Sequence, residues 1–384
     1  MALTVGIIGL PLSGKTTLFN ALTRAGADIS GYPTSTVQAN RAVVQVPDER
    51  LTRLAEIFHP RKIVPTAIEF VDVAGLGQET ATAKREGLSA EFLGHIRNAD
   101  ALAIVVRCFE NPQAPHPAGS VNATRDLDDL LSELVITDLA TVDKRIDSTS
   151  RKAKSGDKKF GEELDFLRRL REHLNEGRPA SELSYNTLEE NTLRELFLLT
   201  MKPRLYVVNV GEDALGEAGA LLEGDAAAPA TGELACAGAV RDRARSEGAE
   251  IVAVSAKLEA ELGELSAEDA AEYLAALGLP ALGADRVIQA GYRALDLISF
   301  LTAGEDEVRA WTVTQGAKAP AAAGKIHTDF ERGFIRAEVV HYDDLMRDNG
   351  SMKTAKEHGH VRLEGKDYMV RDGDIIEFRF NVSK

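Results

Sequence analysis

Cysteine is nearly missing: Cys108 and Cys236 are the only two in 384 residues. That is too few for a disulfide framework or a zinc site, and a reduced, cytoplasmic setting is expected. Aromatic residues make up 5 % of the chain, with one tryptophan. No apolar run approaches the ~20 residues that cross a bilayer, so no membrane partner is expected. Basic charge is also short, with 45 Lys and Arg against 60 Asp and Glu and a net charge of −15. Broad adhesion to DNA, RNA or anionic lipid is thereby excluded, and any RNA contact needs a local basic patch. The opening Met-Ala-Leu-Thr-Val runs straight into an apolar strand, so no leader is expected.

What the chain does have begins at Gly9. Residues 9–16 read Gly-Leu-Pro-Leu-Ser-Gly-Lys-Thr, a complete G-x-x-x-x-G-K-[ST] phosphate loop directly after the strand-like run Val5–Ile8. Small residues let backbone N–H groups converge on phosphate oxygens. Leu12, Ser13, Gly14, Lys15, Thr16 and Thr17 form the expected cradle, with Lys15 on the β- and γ-phosphates and the Thr16 hydroxyl on Mg²⁺. The helix opening at Lys15 adds the positive end of its dipole.

Short apolar, β-branched runs recur at Val43–Val46, Ala67–Val71, Ala101–Val106, Leu205–Val208 and Ile251–Val254, with helical patterns between them. Such alternation predicts an α/β fold with a mostly parallel, doubly wound sheet, whose ligands bind beyond the carboxyl ends of the strands. The polar clusters fall there: the phosphate loop, Asp72-Val-Ala-Gly75, Asn209-Val-Gly-Glu212 and Ser255-Ala-Lys257. Asp72 suits the metal's outer carboxylate and Gly75 a γ-phosphate sensor. In Gly31–Val37, Thr36 is the choice for a hydroxyl that closes over Mg²⁺, with Thr34 as its competitor.

The base box departs from the guanine-selective Asn-Lys-x-Asp. Val210 replaces the lysine, and Glu212 carries the carboxylate one methylene further out. Together with Asn209, Ser255, Ala256 and Lys257 this predicts relaxed selectivity, with ATP accepted and preferred over GTP. After Asp-x-x-Gly, Leu76 stands where Ras-like enzymes place a water-orienting Gln. His116, in the loop Glu110–Pro117, is then either a catalytic candidate or an ordinary loop histidine.

Leucine and valine repeat at helical spacing from Leu127 to Ile146, and again from Phe160 to Leu174. They predict an inserted helical hairpin whose basic link, Arg151–Lys159, is either a solvated turn or an RNA contact. Residues 214–235, rich in Ala, Gly and Glu, read as a mobile surface loop or a poorly ordered insertion. A further helix over Ala284–Phe300 leads to a β-rich unit, residues 302–384, which holds 13 Lys and Arg against 15 Asp and Glu.

These motifs, with Thr17-Leu-Phe-Asn-Ala-Leu22, Glu69-Phe-Val-Asp-Val-Ala-Gly-Leu76, Val106-Arg-Cys-Phe-Glu110, Glu307-Val-Arg-Ala-Trp311, Ala322–Ala337, Glu364-Gly-Lys-Asp-Tyr368 and Phe378–Val382, closely resemble the YchF family over essentially the full length. The resemblance implies a P-loop NTPase domain over 1–125 and 203–278, the helical hairpin over 126–202 and a connecting helix over 279–301. A C-terminal ubiquitin-like (β-grasp) TGS domain would fill 302–384. It also implies Mg²⁺-dependent ATP hydrolysis with GTP accepted, binding to the ribosome or a subunit with rRNA contacts, and a hydrolytic role for His116. Leu12 stands where the family usually has Asn, so the potassium activation tied to that Asn does not carry over. Ser35 likewise replaces a redox-sensitive Cys of some members, and Gly77–Lys84 differs from the family's glycine-rich switch.

Overall fold

The structure, a computed structural model, describes residues 3–24, 40–72, 90–154, 157–279 and 281–381. Thr34, Ser35, Thr36, Gly75, Leu76 and the segment 77–84 lie outside the described residues. The strands, in chain order, are β1 (Thr4–Ile8), β2 (Asn40–Gln45), β3 (Lys62–Val64), β4 (Ala67–Asp72), β5 (Ala101–Arg107) and β6 (Arg204–Asn209). They continue with β7 (Glu250–Val254), β8 (Leu297–Ala303), β9 (Glu307–Thr314), β10 (Phe334–His341), β11 (Arg362–Glu364) and β12 (Asp374–Phe380). The chain divides into two compact units, residues 1–42 with 69–287, and 43–68 with 288–384.

The first unit is built on a sheet of order β2-β4-β1-β5-β6-β7. β1 runs parallel to both β4 and β5, and β5, β6 and β7 continue in parallel. Every residue of β5 is buried, as a central strand covered by helices on both faces requires. The chain winds outward from β1 in both directions, so a crevice opens at the carboxyl ends of β1 and β5, where the phosphate loop begins. This is the P-loop GTPase-type α/β fold expected from the sequence.

The hairpin's first helix, Ala123–Ala153, has 31 residues and serves two cores. Leu127, Leu130, Leu131 and Leu134 join the core of the sheet, whereas Val135 and Val142 join Phe166, Leu167, Leu170 and Leu174 of the return helix, Lys158–Asn175. Buried Asp138 fastens the base of the hairpin. Its carboxylate accepts the N–H groups of Leu199 and Thr200 and the Thr200 hydroxyl, at 2.7–2.8 Å.

Residues 214–235 are not a loop throughout. Leu215–Glu223 is a helix that buries Leu215, Ala218, Leu221 and Leu222. The stripe is real, three leucines and one alanine, but the helix spans only 9 residues of an Ala- and Gly-rich segment, too short for its period to stand out. The two cysteines are also not free: Cys108, just past β5, and Cys236, on the helix Glu233–Glu247, form a disulfide across 128 residues.

The second unit carries a sheet of order β11-β10-β12-β8-β9-β3. Its first and last long strands, β8 and β12, lie parallel, flanked by the antiparallel pairs β8–β9 and β10–β12. Without the added edge strand β3 this is the β-grasp order, compatible with a TGS domain. Phe300, Val313, Ala322 and Phe378 pack on one side under the helix Ala319–Ile326. Leu301, Val308, Val340 and Ile375 pack on the other against Leu51 and Leu54.

Two sequence expectations are corrected here. The connecting helix over 279–301 ends at Ala294, and Leu297–Ala303 is β8. Asp296 takes a left-handed φ of 54°, which breaks the helix, and the following Leu-Ile-Ser-Phe-Leu satisfies either period by sequence alone. The helix Glu49–Phe58 and β3, assigned above to the nucleotide domain, belong to the second unit, since Leu51 and Leu54 fill its core and β3 pairs with β9.

Candidate nucleotide-binding site

The phosphate loop leaves β1 at Gly9 and re-enters regular structure in the helix Lys15–Arg24. Gly14 adopts a φ of 96°, and a Cβ there would collide with the Asn209 side-chain amide. Glycine is therefore required twice over. The Asn209 amide donates to the Ser13 carbonyl at 2.9 Å, while its oxygen accepts the Ala256 N–H at 3.0 Å. Asn209 thus joins the phosphate loop to the Ser255-Ala-Lys257 segment; it holds the loops together.

The Lys15 ammonium donates to the Leu10 carbonyl at 2.8 Å and so lies over its own loop. Burial draws its pKa down to about 8, with the Asp72 charge opposing. Asp72, at the carboxyl end of β4, is 2 % exposed and accepts the Thr16 hydroxyl at 3.0 Å. Burial raises its pKa, opposed by the Thr16 bond and by Lys15. Both groups are thus held where charge is poorly solvated. Asp72 Oδ1 and Ser13 Oγ are buried without a hydrogen-bond partner among the described residues. Orphaned polar atoms of this kind are rare, and two of the four among the described residues lie at the mouth of the anion cradle.

From Gly14 and Thr17 a cleft of about 780 Å³ runs past Phe109–Asn111 to Asn209–Asp213, Glu233, Ser255–Lys257 and Glu261. That volume suits a nucleotide-sized ligand. Val210 is 2 % exposed in the sheet core, and its N–H bonds to the Val254 carbonyl. It offers no long side chain to pack on a base. Glu212 stands at the rim and accepts the Tyr273 hydroxyl at 3.0 Å. Lys257 is exposed and paired with Glu261 at 3.7 Å. Leu12 sits at the loop's tip, 51 % exposed, with a left-handed φ of 63°. Leucine pays about 1 kcal/mol for that conformation, which asparagine tolerates.

His116 is 7 % exposed, and both of its ring nitrogens are engaged. Nδ1 accepts the Ala118 N–H at 3.1 Å, which leaves Nε2 to donate to Asp126 Oδ2 at 3.0 Å. In this arrangement both nitrogens are therefore hydrogen-bonded within the protein. The contact with Asp126 links the Glu110–Pro117 loop to the first hairpin helix.

Comparison with known proteins decides the family. Residues 4–145 match a family described as 50S ribosome-binding GTPase, and residues 297–381 match YchF-GTPase_C, described as a protein of unknown function. The chain is 46 % identical over 382 residues to the ribosome-binding ATPase YchF of Bacillus subtilis (strain 168), with all of both chains covered. It is 44 % identical to the protein of that name from Escherichia coli O157:H7, again with all of both chains covered. The YchF GTPase of Schizosaccharomyces pombe superposes with a TM-score of 0.79 at 32 % identity, over 98 % of this chain and 97 % of that one. The chain belongs to the YchF family.

In this YchF-family chain the sequence reading missed Arg107. It is 2 % exposed and donates to the carbonyls of Phe109 at 3.1 Å, Ala114 at 2.7 Å and Leu12 at 3.5 Å. A buried cation therefore ties the His116 loop to the tip of the phosphate loop. The signal was available, since an arginine closes an otherwise wholly apolar strand. Glu233, which accepts the Gly211 N–H at 2.6 Å, and Tyr273 were also missed. Both come from distant helices and leave no local mark.

Proposed function

We propose that this protein is a Mg²⁺-dependent ATPase, accepting GTP as a second substrate, that binds the ribosome or a ribosomal subunit and acts as a translation-associated switch in the cytoplasm. The observation that carries this reading is the Lys15, Thr16 and Asp72 group at the sheet's carboxyl rim. The phosphate loop's N–H groups and the Lys15 ammonium bind and orient a triphosphate. The work left to the protein is positioning and charge stabilisation, as phosphoryl transfer requires. The residues present fit magnesium: the Thr16 hydroxyl would offer a hard oxygen, backed by the Asp72 carboxylate that accepts its hydrogen bond, with Thr36 as a further proposed ligand. Bound there, the ion would neutralise charge on the phosphates. Gly75 is proposed as the γ-phosphate sensor.

Adenine is favoured because Val210 and Glu212 replace the guanine-reading pair. The relatives' names support the ribosome as partner, and the exposed basic link between the hairpin helices is the proposed rRNA contact. Titration of ATP and GTP side by side in magnesium buffer, followed by single-turnover hydrolysis with and without ribosomes, tests the reading. Failure to retain either nucleotide would overturn it.

A second reading has one observation in its favour. With both nitrogens of His116 engaged, the chain could serve as a nucleotide-gated binding module with negligible turnover. Asp126→Asn weakens the hold on His116, and His116→Ala removes the ring. If the histidine is catalytic, the first variant keeps ribosome-stimulated hydrolysis and the second loses it. If it only fastens the loop, both lower Tm and leave turnover unchanged.

A further inference from the structure

The second unit contains a cluster with no part in nucleotide chemistry. Asp348 follows the short helix Tyr342–Arg347, and its carboxylate is 3 % exposed. Its Oδ1 lies 2.6 Å from His358 Nδ1, and its Oδ2 lies 2.7 Å from His360 Nδ1. The ligand atoms of the three residues all fall within 4.8 Å of one another. Two of the chain's eight histidines thus turn the same ring atom toward a single buried carboxylate.

The backbone builds this convergence. Asn349 and Gly350 take left-handed φ values of 54° and 75° directly after Asp348, and Gly359 takes 76° between the two histidines. The Gly350 N–H closes on the Leu345 carbonyl and the His360 N–H on the Ala355 carbonyl, each at 2.9 Å. Both turns are hydrogen-bonded, so the three side chains start from fixed positions. The imidazoles are the movable part, with side chains 57 % and 35 % exposed.

We propose that Asp348, His358 and His360 form a binding site for a divalent transition-metal ion of the zinc class. Two imidazole nitrogens and a carboxylate suit Zn²⁺, Co²⁺ or Ni²⁺, whereas Mg²⁺ prefers an all-oxygen set. Metal–ligand distances of 2.0–2.2 Å give a tetrahedral N···O edge of about 3.3 Å. Small rotations of the exposed rings open the present hydrogen-bond spacing to that value. Three protein ligands leave a fourth position for water. Scarcity of cysteine argues against thiolate zinc sites, not against this one. Bound metal would clip the Ser351–Glu357 segment to the preceding helix and raise the unit's melting temperature.

The test uses the full-length, untagged protein, stripped with a chelator and titrated with ZnCl₂ or CoCl₂ against a chromophoric competitor. One site of about micromolar affinity or tighter is expected, unaffected by millimolar Mg²⁺ and lost on acidification, because imidazole ligates only when neutral. Cobalt should give the visible bands of a nitrogen–oxygen site without thiolate charge transfer. The double substitution His358→Ala with His360→Ala, at exposed side chains, should abolish binding and the metal-dependent rise in Tm while leaving ATP affinity unchanged. Asp348→Asn should weaken binding more than tenfold. Wild-type zinc binding weaker than about 100 µM, equal binding by the double variant, or a thiolate cobalt spectrum would each overturn the proposal.

Discussion

The two ends of the nucleotide cleft are built on different principles. At the phosphate end three groups are fixed by a partner from another strand: Gly14 by Asn209, Thr16 by Asp72, and the Leu12 carbonyl by Arg107. The charges there are buried and mutually dependent. At the base end Tyr273 and Lys257 are exposed and Glu212 is half-buried, and one hydrogen bond, from Tyr273 to Glu212, is the principal constraint on the specificity carboxylate. A tight grip on triphosphate beside a permissive wall is what this difference predicts. Tight packing makes substitutions at the first end expensive, while those at the second redistribute small energies.

Lys15→Ala should have the largest effect. It removes the only ammonium in the cradle's first turn and leaves Asp72 buried without its opposing charge. Single-turnover hydrolysis should fall about a hundredfold or more, in line with the loss of a preorganised charge-stabilising group. A variant retaining near-normal turnover would mean that the phosphate end is not where binding energy resides.

Gly14→Ala comes next. The added methyl meets the Asn209 amide at a φ alanine rarely adopts, so the bond to the Ser13 carbonyl is lost or the loop shifts. ATP affinity should drop about thirtyfold, at a cost of roughly 1–3 kcal/mol in stability. Isothermal titration and urea unfolding measure the two effects separately. An unchanged affinity would show that the loop is looser than its contacts imply.

The pH response separates binding from folding at the same residue. Lys15 titrates near 8 in the folded chain, against an ordinary value of 10.5, with burial as the largest cause. Between these values the unfolded chain binds more protons than the folded one, so this group's contribution to stability increases with pH. Triphosphate binding needs the ammonium and should respond in the opposite direction, weakening roughly ten- to thirtyfold from about pH 7 to pH 9.5. Parallel ATP titrations and melts across that range check both signs. Affinity that holds constant would place the Lys15 charge away from the phosphates.

The contrast between the two ends also governs what could be read in advance. The phosphate loop, Asp72 and the six strands of the first sheet are contiguous signals, each residue's role set by near neighbours in sequence. Other features are settled by residues far away. The Cys108–Cys236 bridge joins positions 128 apart, and no spacing rule pairs them. Leu51 and Leu54 form an ordinary amphipathic helix whose partners, such as Val308 and Val340, lie some 250 residues downstream. His116 reads from the sequence as either a catalytic candidate or an ordinary loop histidine, because a loop histidine beside a phosphate site is chemically apt. Its burial against Asp126 depends on a hairpin helix whose position the local sequence does not reveal.

The smallest effects belong to the base end, and they test the comparison most directly. Tyr273→Phe removes a hydroxyl from an exposed pair, and Glu212→Asp draws the carboxylate back by one methylene. A solvent-exposed hydrogen bond contributes toward the low end of 0.5–1.5 kcal/mol, so each change should alter the ratio of ATP to GTP affinity by only about two- to fivefold. Glu212→Asp should move it toward GTP, because the shorter side chain approaches the guanine-reading arrangement, while Val210 stays buried and supplies no packing on the base. Competition binding of the two nucleotides to both variants provides the measurement. If Glu212→Asp alone swings the ratio by more than about tenfold, the missing lysine contributes little and the carboxylate's reach is the whole of base selectivity. The base end would then be as exacting as the phosphate end.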